Sequence, residues 1–153
     1  EIRFCDWSSD VCSSDLMIQF LGPIAEVDAR SKRQVLTGNL DDTTVMLLGF
    51  ASGATGTLAT LIATADMFRF RVFGSKGWVE LDGPNRLRVA LIGEAERVFD
   101  FPPADIERAE LEAFADAVAG VTPFPVARKQ AENNIAFLEA IGQSVAAGGP
   151  VAV

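Results

Sequence analysis

From Thr43 onward, apolar positions fall into short runs cut by turn residues, a pattern that predicts antiparallel strands joined by hairpins rather than βαβ units. Thr43–Phe50 (TTVMLLGF) and Thr55–Thr64 (TGTLATLIAT) flank Ala51-Ser52-Gly53-Ala54, a hairpin with glycine at its turn. Met67–Phe73 (MFRFRVF) alternates Phe68, Phe70 and Val72 with Arg69 and Arg71, then turns through Gly74-Ser75-Lys76-Gly77. Trp78–Leu81, Arg86–Leu91 and Glu96–Phe101 follow as strands, with Asp82-Gly83-Pro84-Asn85 as a turn between the first two. Upstream, Ile24–Lys32 (IAEVDARSK) has partial strand alternation, and Arg33–Asp42 is a polar loop. That makes about seven strands in series.

Helical spacing appears three times. Met17–Leu21 reads as the tail of a helix stopped by Gly22-Pro23. Asp105–Ala119 sets Leu111, Phe114, Ala115 and Val118 on one face, and Arg128–Ala147 sets Ala131, Ile135, Leu138, Ile141 and Val145 on a stripe that ends at Gly148-Gly149-Pro150. Pro150–Val153 suits a short edge strand. The predicted class is α+β: a large, mostly antiparallel, open-faced sheet with helices packed on one face. Strand Thr43–Phe50 is apolar on both sides, Val45 and Leu47 against Met46, Leu48 and Phe50. Helices cover one face, so the other is expected to meet another domain or a second copy of the sheet.

Composition narrows the function. A chain of 153 residues, 49% apolar with mean hydropathy +0.24, suits one packed domain. Its net charge of −8 and pI near 4.5 disfavour nucleic acid and anionic membranes. No stretch approaches the ~18 apolar residues a spanning helix needs, and a cytoplasmic location is expected. Histidine is absent, which removes the commonest general base and neutral metal ligand.

The two cysteines, Cys5 and Cys12, both fall in Glu1–Leu16 (EIRFCDWSSDVCSSDL), a segment with neither helical nor strand periodicity. It resembles the peptide made when a sequencing adapter is translated in frame. The expected organisation is therefore a non-native segment at 1–16 and a domain at 17–153.

Motifs that suggest chemistry have simpler readings. Gly49, Gly53 and Gly56 do not form GxGxxG and precede no helix, so they offer no cradle for a pyrophosphate. Phe73–Gly77 (FGSKG) lacks the first glycine of a phosphate loop and leads into a strand. Asp41-Asp42 reads as a solvated turn, and Glu110 and Glu112, two apart on a helix, face different ways. Arg69 and Arg71 share a strand face that suits an anionic ligand, a subunit contact or solvent. No catalytic residue, cofactor-binding residue or metal site is predicted.

The run VMLLGFASGATGTLATLIATADMFRFRVFGSKGWVELDG, followed by ELEAFADAVAG, PFPV and LEAIGQSVAAGGPVAV, resembles the C-terminal domain of Gfo/Idh/MocA oxidoreductases over about Met17–Val153. The resemblance implies a parent enzyme using NAD(P), with a Rossmann domain, a catalytic Lys and an Asp-x-x-x-His pair that this chain lacks. It implies substrate-facing residues Thr64, Asp66 and Met67, with Ala65, in the loop ending a central strand, and Arg69 just after it. Polyol-using members often carry a Tyr in this loop; there is no Tyr here. The implied role is a substrate-binding and oligomerisation domain of a sugar or polyol oxidoreductase, inactive alone and binding no cofactor itself. Its implied partners are the missing Rossmann domain, further copies through the open sheet face, and a small sugar or polyol. The rival reading is a stand-alone, non-catalytic dimerisation or scaffold module.

Overall fold

The computed structural model describes residues 5–153, with their side chains from residue 13 onward. Its elements are α1 (Cys5–Leu21), β1 (Ile24–Lys32), β2 (Thr43–Phe50), β3 (Thr55–Leu61), β4 (Arg69–Gly74), β5 (Gly77–Asp82), β6 (Arg86–Leu91), β7 (Arg97–Asp100), α2 (Ile106–Val118), α3 (Arg128–Ala147) and β8 (Val151–Ala152). The class is α+β with antiparallel pairing throughout, as expected. The strands divide at residues 62–68 into two four-stranded sheets instead of joining in one. In that connection β3 loses its ladder after Leu61, and β4 begins a new one at Arg69. The chain correspondingly forms two compact units, Glu1–Thr64 with Val126–Val153 and Ala65–Pro125.

In the first unit the sheet order is β3-β2-β1-β8. The β2–β3 hairpin closes with the Phe50 N–H donating to the Ala54 carbonyl at 3.0 Å, and Gly53 takes the positive φ of 86° that the turn needs. Val27, Ala29, Met46, Leu48, Phe50 and Leu58 point inward and are buried, while Val45, Leu47 and Leu61 are exposed on the opposite face. The period of two has sorted apolar residues onto both faces, and only one face is covered.

Helix α3 lies against β1, and α1 lies against α3. Its buried face differs from the predicted stripe: Asn134, Phe137, Ala140 and Ser144 are buried, whereas Ile135 is 63% exposed. The cause is hydrogen bonding. β8 pairs only with Glu26 and Val27, which leaves backbone groups of β1 to be satisfied elsewhere. Ser144 Oγ accepts from the Ala29 N–H at 2.8 Å and donates to the Gly149 carbonyl at 2.6 Å. Asn133 accepts from the Ile24 N–H at 2.9 Å and donates back to the Ile24 carbonyl at 3.0 Å. Polar residues thus turn the helix away from the face that apolar spacing alone selects.

Helix α1 enters from upstream of Met17, so the expected helix tail belongs to a longer element. Ser14 is fully buried and donates to Asn134 Oδ1 at 2.6 Å. Residues 1–4 and the Cys5 and Cys12 side chains lie outside the described residues.

Asp42 corrects the solvated-turn reading. It is buried, and its carboxylate accepts the backbone N–H groups of Gln34 (3.0 Å), Val35 (2.7 Å) and Leu36 (2.8 Å) and the Thr43 hydroxyl (3.0 Å). These donors hold the carboxyl down at about 2, from an ordinary 3.8, the Leu36 and Val35 N–H groups contributing most. A depressed folded value means that Asp42 stabilises the loop fully above pH ~4, with the contribution lost as pH falls through about 2. An acid titration followed by NMR should show the amides of Gln34, Val35 and Leu36 shifting together near pH 2, and Asp42→Asn should abolish that step. Amides that titrate near pH 4 instead would contradict the anchoring.

In the second unit β4-β5-β6-β7 form a meander. Its register places Phe70 opposite Leu81 and Leu81 opposite Leu87 on one face, and Arg71 opposite Glu80 and Glu80 opposite Arg88 on the other. α2 is capped by Asp105, whose side chain accepts the Arg108 N–H at 3.0 Å. None of its residues is buried, so the expected inward face of Leu111, Phe114 and Val118 is exposed. Phe114 instead meets Phe124 edge-on, with ring centroids 6.0 Å apart.

Candidate functional site

The predicted substrate-facing residues lie in the connection between β3 and β4. Thr64 ends the first unit, and Asp66, Met67 and Arg69 open the second. Thr64, Ala65, Asp66 and Met67 are all exposed, Met67 by 80%. They offer a hydroxyl, a carboxylate and a thioether on backbone that no ladder constrains, a set suited to hydrogen-bonding a hydroxylated molecule.

Arg69 is differently placed. Its guanidinium reaches Asp82 Oδ1 at 3.3 Å and Glu80 Oε2 at 3.8 Å across the β4–β5 ladder, so its charge is already compensated. Glu80 is the centre of the arrangement, with a fully buried side chain. Arg71 Nε donates to its Oε2 at 2.6 Å, and Arg88 Nη1 lies 3.3 Å from its Oε1. Arg71 also stacks on Trp78 (5.0 Å to the ring centre) and Phe73 (5.8 Å), and Arg88 lies 5.8 Å from the same Trp78 ring. Glu96, at 2.6 Å from Arg88, raises that guanidinium's pKa through a direct hydrogen bond and its charge.

The sequence reading found Arg69 and Arg71 but not Glu80, Trp78 or Arg88. Their signal is RxR on β4, WxExD on β5 and RxR on β6, residues two apart on each strand. It becomes readable only when the antiparallel register sets glutamate between arginines. With each arginine of this face paired to a carboxylate, the cluster cross-links three strands and leaves no unpaired guanidinium fork there for an anion.

Both sheets are antiparallel, so neither offers the strand–turn–helix crossover that receives a pyrophosphate. The N-terminus of α2 is filled by the Asp105 carboxylate, while α3 starts after Ala127 without a side-chain cap. Among the described residues, no group of His, Cys, Asp and Glu is placed to hold a metal ion, and no helix is long and apolar enough to cross a membrane.

The family model of the GFO/IDH/MocA C-terminal domain matches residues 13–80, from the end of α1 into β5. That match covers 68 of the 153 residues, and over it the chain is similar to a Gfo/Idh/MocA C-terminal domain. Its whole fold is similar to parts of several solved structures. One is an oxidoreductase from Agrobacterium radiobacter in complex with NAD+, L-tartaric acid and magnesium (21% identity, TM-score 0.80, 93% of this chain and 47% of that one). A second is an aldose–aldose oxidoreductase from Caulobacter crescentus complexed with glycerol (23% identity, TM-score 0.79, 94% and 46%). A third is a UDP-N-acetylglucosamine 3-dehydrogenase from Acidithiobacillus ferrooxidans (19% identity, TM-score 0.81, 96% and 50%). At these identities the likeness establishes a shared fold, and the chain spans about half the length of each. No curated protein matches the chain.

Proposed function

We propose that residues 17–153 are the substrate-binding and oligomerisation domain of an NAD(P)-dependent sugar or polyol oxidoreductase whose dinucleotide-binding domain and catalytic residues lie outside this chain. The observation that carries the reading is the fit of nearly the whole chain onto about half of oxidoreductases described with NAD+ or with sugars and their derivatives. The antiparallel sheets and the lack of histidine agree with a division of labour in which this domain positions substrate and hydride transfer is completed elsewhere. Thr64, Asp66 and Met67 supply the exposed substrate-facing loop. Arg69 joins them through its backbone position at the start of β4, with its guanidinium held by Asp82. The exposed face of the first sheet supplies the contact between copies. The segment ahead of residue 13 is the foreign addition in this reading, since the family match takes in residues 13–16. The proposed use of NAD(P) agrees with a cytoplasmic setting.

The test begins with the source locus, read upstream of Met17. The expected result is an open frame encoding a strand, GxGxxG and a helix, then an Asp-x-x-x-His pair. The product of that frame should oxidise sugars or polyols with NAD(P)+, and Thr64→Val with Asp66→Ala should raise KM for the sugar about tenfold or more while leaving NAD(P)H affinity unchanged. An authentic start at Met17 with no such frame upstream would leave the domain as a stand-alone dimerisation module. A full-length enzyme whose KM ignores both substitutions would remove the loop from the substrate site.

A further inference from the structure

We infer that the exposed face of the first sheet pairs with a second copy in one particular two-fold register, set by a self-complementary row of charges on β1. The inference rests on the proposed sheet-to-sheet contact and specifies its geometry. Along the open side of β1 the outward residues are Glu26, Asp28, Arg30 and Lys32, two acids followed by two bases. The adjacent strand presents apolar Leu47 and Val45, paired in register with Asp28 and Arg30. Both are about half exposed, at 58% and 47%, on the face opposite the one against which α3 packs.

A contact between identical copies about a two-fold axis must be self-complementary. Two in-plane axes bring one sheet face to face with its copy. An axis parallel to the strands lays β1 over the far side of the partner sheet, burying the four charges against the threonine and alanine positions of β3, without partners and at high desolvation cost. An axis perpendicular to the strands, passing over Ala29, lays β1 antiparallel over β1. Glu26 then faces Lys32 of the second copy, Asp28 faces its Arg30, and Leu47 sits over its Val45. Every outward charge meets its opposite, and the apolar stripe meets itself.

The internal Arg30–Asp28 pair at 2.6 Å is exposed, so exchanging it for an intermolecular pair sacrifices little. Strands β3, β2 and β1, ~4.8 Å apart and seven to nine residues long, give roughly 400 Å² per copy counted flat, about 800 Å² in total, below the ~1,000 Å² expected of a stable specific interface. At that size apolar burial alone selects a register weakly, and opposed charges decide it.

The experiment compares the 153-residue chain with two variants by analytical ultracentrifugation, and their mixture by native mass spectrometry. R30E/K32E makes the row wholly acidic, and E26K/D28K makes it wholly basic. The wild-type chain should dimerise, each variant alone should self-associate at least about 100-fold more weakly, and an equimolar mixture should form the heterodimer at near wild-type affinity. Raising salt should partly restore each homodimer. If both variants dimerise like wild type while Leu47→Lys disrupts the dimer, the register is overturned and the open-face contact stands. If the mixture fails to form a heterodimer, the register is likewise overturned. A wild-type chain that remains monomeric at high concentration overturns register and contact together.

Discussion

Replacing Phe137 by alanine should destabilise the first unit by about 3–5 kcal/mol, lowering its thermal midpoint by roughly 10 °C or more. Phe137 is the largest of the fully enclosed side chains, and it sits on the α3 face that packs against β1, flanked along the helix by buried Asn134 and Ala140. Cutting the ring back leaves a void bounded on both sides by hydrogen-bonded backbone. The paired bonds from Asn133 to Ile24, and from Ser144 to Ala29 and Gly149, hold helix and strand at fixed spacing, so the site cannot collapse to fill the void. The internal comparison is Ile135→Ala. Ile135 lies on the stripe that helical periodicity selects, but it is largely exposed, and its truncation should change stability by no more than about 0.5 kcal/mol. Calorimetry on the two variants discriminates the observed face from the periodic one. Equal losses, or a larger one at Ile135, would show that α3 is rotated from the position described.

That contrast shows where sequence patterning reached its limit. The bounds of α3 were legible because its Arg128 start and Gly148-Gly149-Pro150 stop are local signals, as was the Ala51–Ala54 hairpin with its glycine. The inward face of α3 was not, because Asn133, Asn134 and Ser144 count as polar in any periodicity although their work is to complete β1. Asp42 reads as solvated for the same reason: a carboxylate consumed by three loop amides looks, in sequence, like one facing water. α2 fails in the opposite sense, since its apolar stripe is real in the sequence but lies exposed in the second unit. Periodicity states which residues can be buried together, and tertiary partners decide whether they are.

The candidate loop came from the resemblance, which implied that Thr64, Asp66 and Met67 lie in a loop, and the structure sets these residues between β3 and β4. The function of a nearby charge does not follow from strand counting. Arg69 carries the same formal charge whether it waits for an anion or closes on Asp82, and only the pairing of β4 with β5 distinguishes the two. Glu80 was invisible because its burial depends on three arginines from two other strands, none of them close to it in sequence.

The turn before that cluster yields the other large effect: Gly77→Ala should cost about 3 kcal/mol or more, unravelling the β4–β5 hairpin ahead of the rest of the chain. Gly77 opens β5 with φ of 148°, a conformation costly for any residue bearing a Cβ. Space compounds the strain. A Cβ there would overlap the Ala90 carbonyl oxygen and come within 2.9 Å of the Leu91 Cα, both backbone atoms of the neighbouring strand. Backbone cannot rotate aside as a side chain does, so β5 and β6 must separate at the point where Gly77 pairs with Leu91. That separation loosens the next positions, Trp78 opposite Ala90 and Glu80 opposite Arg88, and with them the arginine stack on Trp78. Tryptophan fluorescence should therefore shift to the red, and amide exchange should rise across β5 and β6 while β1–β3 stay protected. The matching control is Gly83→Ala, at a residue with positive φ of 72° and no atom within 4 Å of the added carbon, so it carries conformational strain alone. A loss at Gly77 no larger than at Gly83 would mean that β6 does not approach as closely as the Gly77–Leu91 pairing requires.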